Sequence, residues 1–515
     1  MLLLIIAIFV LRTLHYTHMF QLNSYRPERQ MRWFKTALKP YFITTAPLTA
    51  ALIVPFLSSS KFTVAVCIEC ALLVAGLILN IPKKAKKPLV YTARVKRFLG
   101  VNFGLFALLF IACAFVFMRV STDIGILAFA FFFLITITPF YLLLCSFIIA
   151  PVEKAINNHY INDAKKIIKS HSNLTVIGVT GSFGKTSVKY MLGTLLGAKY
   201  NVLITPASFN TPMGVTRTIR ENLRATHDIF ICEMGAKQVG DIREICDIVS
   251  PAHGVITSVG PQHLETFKTL DNVKKTKFEL ADALPCGGKL FINGEDENIA
   301  SYNKNENAIT YGLSDKCKYY ADNISVSSKG TTFSITHGEE TVDFTTSLIG
   351  EHNVINVVGA IAVACEMGIP LAKLPPYVRK LSGVEHRLQL MKRGDMTIID
   401  DAYNSNPAGS AYAVKALGLF EGCKIIITPG MIELGDVQYE ENKKFGMHIA
   451  DVCDYVVLVG KKQTQPIYDG LIEKGFDKEK IFVAENLREG ADNAFAYNDG
   501  RKKTVLFEND LPDNF

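Results

Sequence analysis

The sequence predicts a three-part α/β protein: an N-terminal bundle of transmembrane helices, a central α/β domain built on a P-loop, and a smaller Rossmann-like α/β domain. Three observations carry this. Long uncharged apolar runs are confined to roughly the first 150 residues. An apolar strand at 174–179 runs into a glycine-rich turn and then a helical pattern. After about Gly383, short apolar strands alternating with amphipathic stretches begin again. The expected boundaries are 1–152, 153–382 and 383–515.

A chain of 515 residues with 49% hydrophobic residues is richer in apolar side chains than one wholly in water, so part of it is expected in lipid. The runs at 41–58, 62–81, 98–118 and 124–150 are each close to the ~20 residues that cross a ~30 Å hydrocarbon core. Residues 1–13 add a shorter run with no basic residue ahead of it and no small-residue cleavage site, which reads as an uncleaved first helix. Basic residues gather in two connections: Arg26, Arg29, Arg32, Lys35 and Lys39, then Lys83, Lys84, Lys86, Lys87, Arg94, Lys96 and Arg97. Such clusters beside apolar spans mark the cytoplasmic side, so the net charge of +7 does not imply a nucleic-acid partner. Five helices put segments 14–40 and 82–97 on that side, the N-terminus outside, and everything after residue 150 in the cytoplasm. The spans hold almost no ionisable residues apart from Glu69, which favours an anchor over a transporter. Eleven cysteines without framework spacing fit a reducing compartment, and the Cys67/Cys70 pair, inside an apolar run, is given no role.

After a basic amphipathic stretch at 153–172 comes Thr180-Gly181-Ser182-Phe183-Gly184-Lys185-Thr186-Ser187. Glycines let backbone N–H groups approach phosphates, the helix N-terminus favours negative charge, Lys185 reaches the outer phosphates and the Thr186 hydroxyl suits Mg2+. Val179 stands where a strict Walker A has glycine, so a chance glycine-rich turn competes, and the flanking strand and helix decide for phosphate binding.

Further strings follow. Asp228 to Ala236 is a buried strand ending in Glu233, and Thr257-Ser-Val-Gly-Pro-Gln-His263 puts a histidine after a strand. Lys277-Phe-Glu-Leu280 lies on a helix with Lys274 and Lys275, and Gly350-Glu-His-Asn353-Val-Ile-Asn356 opens another. Glu385-His-Arg387 enters the last domain, where 396–400, 424–428, 454–459 and 503–508 are expected strands. Asp400-Asp-Ala-Tyr-Asn-Ser-Asn-Pro407 and Pro429-Gly-Met-Ile-Glu-Leu-Gly435 follow two of them. Taken singly these have bland readings: a solvent-facing Glu233, a structural His263, a solvated lysine face, helix capping by Asn353, and an Asx turn at 400–407.

Taken together, and with Thr-Gly-Ser-x-Gly-Lys-Thr, these strings resemble the Mur ligases that add amino acids to bacterial cell-wall precursors, from about residue 170 to 460. The Asp-x-Tyr-Asn-x-Asn-Pro string is most similar to the MurF type. The resemblance implies an ADP-forming amide ligase: a substrate carboxylate attacks the γ-phosphate of ATP, and an amine displaces phosphate from the acyl phosphate. It implies ATP and two Mg2+ ions, with Lys185, Glu233, His263 and Lys277 as the catalytic set. Thr186, Glu233, His263 and a CO2-modified Lys277 would hold metal, and Asn353 and Asn356 the adenine side. Arg387 would reach the phosphates and Asp401 the ribose, beside Tyr403, Asn404 and Asn406; Asn210, Thr211 and Gly214 would lie near the sugar-peptide substrate. Implied partners are a muramyl peptide, an amino acid or dipeptide and membrane lipid, at a multi-pass membrane protein with cytoplasmic catalytic domains.

The sequence departs from the family twice. Membrane helices stand in place of the soluble uridine-binding domain, and the chain ends in an acidic stretch, 505–515, where the MurF type has Lys-Gly-Ser-Arg. Three readings stay open: addition of D-alanyl-D-alanine or a related amine to a muramyl peptide, ligation on a polyprenyl-linked precursor, and a membrane ATPase scaffold or transporter.

Overall fold

The computed structural model describes all residues except 1, 58–61, 83–87, 121–134, 339, 385, 403–405, 433 and 510–515. The chain forms two compact units that divide after Asn158.

The first unit is helical: Leu2–Leu22, Pro27–Thr36, Leu38–Leu57, Phe62–Leu79, Ala93–Val120 and the start of Thr138–Ser170. Helices thus occupy the expected apolar runs, although 124–134 lies outside the described residues. Among the described residues three are long and apolar enough to cross a membrane: Leu3–Leu22, Ala93–Ala112 and Thr138–Ser170. Ile8, Phe9, Leu48, Leu73, Phe98 and Tyr141 form the interior, while Ile43, Leu108, Ile111 and Phe147 face outward.

The first helix does not stop near residue 13 but continues to Leu22. Its polar continuation is sheltered: Arg12, Thr13 and Thr17 are all buried by neighbouring helices. The segment 14–40 is correspondingly no loop. Pro27 opens the amphipathic helix Pro27–Thr36, in the first turn, where its missing N–H costs nothing. The composition shift at residue 151 likewise marks no break, because Thr138–Ser170 passes straight through Pro151. Two residues on, Glu153 accepts Arg97 Nε at 2.7 Å and Nη2 at 2.9 Å, a bidentate bond that clamps the helix just past the proline.

The second unit contains two sheets. The first comprises β1 (Thr175–Thr180), β2 (Val202–Ile204), β3 (Ile229–Glu233), β4 (His253–Ile256), β5 (Leu290–Asn293), β6 (Ile309–Gly312), β7 (Tyr319–Ser327), β8 (Gly330–His337) and β9 (Glu340–Thr346). Their order is β2-β3-β1-β4-β5-β6-β7-β8-β9, parallel as far as β7 and then an antiparallel meander. Strands β1 and β3 are nearly continuous apolar runs, as parallel strands covered on both faces require. Helices Lys185–Leu196 and Glu351–Glu366 cover one face, burying Val188, Leu192, Leu195, Val357 and Ile361 at ~1.5–3 kcal/mol each. In register, Val179 sits beside Glu233, so the P-loop and the Glu233 carboxylate leave the same edge of the sheet.

The second sheet comprises β10 (Gln389–Arg393), β11 (Met396–Asp401), β12 (Cys423–Thr428), β13 (Tyr455–Val459), β14 (Ile481–Ala484) and β15 (Lys503–Glu508). The order is β10-β11-β15-β12-β13-β14, all parallel except the antiparallel edge strand β10.

Candidate active site

Strand β1 delivers Thr180 to the sheet edge, where its hydroxyl donates to Met234 O at 3.0 Å. The turn then needs two unusual glycines. Gly181 has φ +155° and Gly184 φ +79°, and a Cβ on Gly184 would lie 2.8 Å from Asn356 Oδ1. The loop is tied to the β4 exit: Ser182 N donates to Ser258 O at 2.8 Å, Phe183 N to Ser258 Oγ at 2.7 Å, and Thr257 Oγ1 to Phe183 O. These bonds fix the N-terminus of helix Lys185–Leu196 as a rigid anion cradle.

Lys185 Nζ donates to Gly181 O at 2.7 Å and Ser182 O at 3.0 Å, folded back over its own loop. Burial lowers its pKa to about 8, with Glu233 opposing and the Arg387 charge assisting. Glu233 is fully buried. Its Oε1 accepts Thr186 Oγ1 and Asn210 Nδ2, both at 3.0 Å, and its Oε2 faces Lys189 Nζ at 3.1 Å. Burial pushes the Glu233 carboxyl up, but Lys189, Lys185 and Asn210 outweigh that and hold it below the usual range. Oε2 has no hydrogen-bond donor of good geometry, only the ammonium opposite. A carboxylate so held beside a hydroxyl is a hard oxygen donor pair, which suits Mg2+.

Lys277, at 1% exposure, is buried on helix Leu270–Asp282. Burial and the neighbouring Lys185 charge push its pKa well down, which favours a neutral amine. The P-loop and this helix therefore bring Lys185 and Lys277 together. His263 is half-buried in a left-handed conformation at the start of Leu264–Phe267. Among the described residues, no three His, Cys, Asp or Glu side chains converge as a metal cage. Thr186 and Glu233 are the oxygen donors that stand together here, and an ion bound to them would fill the rest of its shell from outside that pair.

Asn356 sits against Gly184, whereas the Asn353 amide donates to Ile349 O at 2.9 Å at its own helix start. Ser187 lies half-buried on the P-loop helix. Thr211 and Gly214 form an N-cap bond of 3.3 Å that opens helix Pro212–Asn222. Asn210 grips β3 twice, through Glu233 and by accepting Gly235 N at 2.7 Å. From the second sheet, the Arg387 charge acts on both Lys185 and Lys189. Asp401 accepts Leu388 N at 3.1 Å, and its pKa rises to about 7, chiefly by burial and then by Glu508. Asn406 caps helix Pro407–Gly418 by accepting Gly409 N at 2.8 Å, while Tyr403 and Asn404 lie outside the described residues.

Two residues escaped the sequence reading. Lys189 is fully buried and neutralises Glu233; its signal was a lysine four positions after Lys185, on the same face of a mainly apolar helix. Glu508, also fully buried, accepts Ser410 Oγ at 2.7 Å and Thr428 Oγ1 at 2.5 Å.

Known proteins share these two domains and their fold. The Mur ligase middle domain matches residues 179–364, and the Mur ligase glutamate ligase domain matches residues 386–508. The UDP-N-acetylmuramoyl-tripeptide–D-alanyl-D-alanine ligase of Bacillus subtilis is 32% identical over 310 residues, 59% of this chain and 66% of that protein. Its counterpart in Buchnera aphidicola subsp. Baizongia pistaciae is 32% identical over 280 residues, 53% of this chain and 61% of that protein. The chain thus spans about two thirds of the length of such relatives, or a little less. Crystal structure I of MurF from Acinetobacter baumannii superposes with a TM-score of 0.63 at 25% identity, covering 68% of this chain and 77% of that one. The fold is also that of MurF from Thermotoga maritima in complex with ADP, with a TM-score of 0.61 at 24% identity, 68% of this chain and 80% of that one. A P-loop beside a buried carboxylate, with the Arg387 charge bearing on its lysine, and both domain matches in order lead to one conclusion: through residues 179–508 this chain belongs to the Mur ligase family.

Proposed function

We propose that this protein is an ATP-dependent, ADP-forming ligase that joins D-alanyl-D-alanine or a related amine to a muramyl peptide at the inner face of a membrane. The convergence of Lys185, Thr186 and Glu233 at one sheet edge, with Arg387 bearing on it from the second sheet, carries this reading. Lys185 and the loop N–H groups bind the outer phosphates of ATP, and Asn356 borders the nucleotide at Gly184. Thr186 and Glu233 would hold Mg2+, with His263 and a carbamate on Lys277 completing a second position. A cation held there would supply positive charge to offset that of the transferred phosphoryl group. Arg387 adds a positive charge when the two α/β domains close, and Asp401 reaches the ribose. Asn210 links the loop at the sugar-peptide substrate to Glu233. Burial and the Lys185 charge favour the uncharged Lys277 amine, the form that adds CO2, which would turn a group that repels a cation into one that binds it. The three membrane-length helices, standing where the family has its uridine-binding domain, favour a lipid-linked form of the acceptor as the second reading.

The test uses the full chain in detergent, with Lys185→Ala as control. ADP release and amide product are measured with muramyl tripeptide on UDP and on a polyprenyl carrier, each with D-alanyl-D-alanine. Product from the UDP form establishes the first reading, and product from the lipid form alone establishes the second. Nucleotide hydrolysis that needs no acceptor discards both in favour of an ATPase scaffold.

A further inference from the structure

The first helical unit contains a cation that the sequence reading passed over. Arg12 is 1% exposed, yet its Nε and Nη2 have no hydrogen-bond partner among the described residues. Its Nη1 donates to Asn80 Oδ1 at 3.2 Å, and the rings of Tyr16 and Tyr41 lie 5.7 and 5.6 Å from the guanidinium carbon. The arrangement is held firmly. Asn80 Nδ2 is occupied by Gly76 O at 2.8 Å and Thr44 O at 3.2 Å, so its oxygen must face Arg12. Tyr41 is fixed by its hydroxyl, which donates to Thr136 O at 2.8 Å.

A buried guanidinium without an anion is among the most costly arrangements a protein can hold. The unit offers little to neutralise it: up to residue 158 the acidic residues are Glu28, Glu69, Asp123 and Glu153. Glu153 is taken by Arg97, Glu28 is exposed, Glu69 keeps an unpartnered oxygen of its own, and Asp123 lies outside the described residues. The two orphaned nitrogens form the planar fork that grips two oxygens of one anion.

Position along the helices says where that anion comes from. Asn80 directly follows helix Phe62–Leu79, and Tyr41 lies in the first turn of Leu38–Leu57. Both ends adjoin the basic segments around 26–39 and 83–97, so Arg12, although midway along Leu3–Leu22, packs against the two helix ends that those segments mark as cytoplasmic, the side from which a lipid phosphate would approach it. We propose that Arg12, with Asn80, Tyr16 and Tyr41 around it, is a binding site for the phosphate group of a membrane lipid. This rests on the membrane placement of the first unit and fits a lipid-linked acceptor or carrier. Binding requires the side chains that bury Arg12 to yield, the Tyr16 and Tyr41 rings among them.

Trp33 is the chain's one tryptophan, and its ring lies 6.1 Å from Tyr16, so its emission reports on this site. The full chain in phosphatidylcholine nanodiscs is titrated with a polyprenyl monophosphate, with phosphatidylglycerol and with inorganic phosphate. A saturable Trp33 response to a lipid phosphate is expected, weakened on the order of tenfold in Arg12→Met. The polyprenyl and phosphatidylglycerol arms tell a carrier lipid from a bulk phospholipid. Asn80→Asp supplies a carboxylate from within, and it should fold at least as well as the wild type and lose the response. An equal response in Arg12→Met and Asn80→Asp, no saturable response, or one given equally by inorganic phosphate overturns the proposal. Carbonate extraction of the wild type from membranes tests the membrane placement separately.

Discussion

Glu233 and the lysines around it show how one residue's environment sets its chemistry. Lys189 lies 3.1 Å from Glu233 with both side chains out of solvent, so removing one partner leaves the other charged in a low-dielectric interior. Lys189→Met should therefore lower stability by ~3–5 kcal/mol in chemical denaturation. Lys189→Met combined with Glu233→Gln should recover most of that loss; additive losses would show that the pair is not coupled. Lys185 behaves differently. Its pKa of about 8 in the free protein should return toward the ordinary value of 10.5 when phosphate oxygens surround it. ATP binding should thus take up a proton between about pH 8 and 10.5, read by calorimetry in buffers of different ionisation enthalpy. Lys185→Met should show no such uptake.

Among the elements, the pairing of β11 with β15 has the clearest consequence. Their register sets Asp401 beside Glu508, two carboxylates at adjacent strand ends. Asp401 has its folded pKa raised to about 7, against ~3.9 for an unfolded chain. The folded state then binds more protons than the unfolded state between those values, so this residue's contribution falls as pH rises from about 4 to about 7. Asp401→Asn should flatten that part of the stability profile relative to wild type; parallel profiles would remove Asp401 as the cause. The central strands β11, β12, β13 and β15 were legible in the sequence because burial on both faces leaves a continuous apolar run. Edge strands β10 and β14 were not, since Gln389–Arg393 is mostly exposed and Ile481–Ala484 half so. The P-loop was legible because its glycines answer a backbone demand. Lys189 and Arg12 were not, because a lone charge on a mainly apolar helix fits a solvated face as well as a buried one.

In the whole molecule, helix Thr138–Ser170 carries the chain from the apolar unit into the unit that holds both sheets. The second unit has its own cores around Val188, Ile231 and Val357 and around Leu458 and Leu506. A fragment of residues 159–515 should therefore leave the membrane fraction and still bind ATP, as dialysis with labelled nucleotide would read. Failure to bind in a folded fragment would show that the first unit completes the nucleotide site. Within the second unit, Asn210 holds Glu233 with its side chain and Gly235 with its carbonyl while opening the loop that the proposed function puts at the sugar-peptide substrate. Thermodynamic linkage makes that bridge reciprocal: whatever factor the acceptor adds to ATP affinity, ATP adds to acceptor affinity, and Asn210→Ala should bring both factors toward one together.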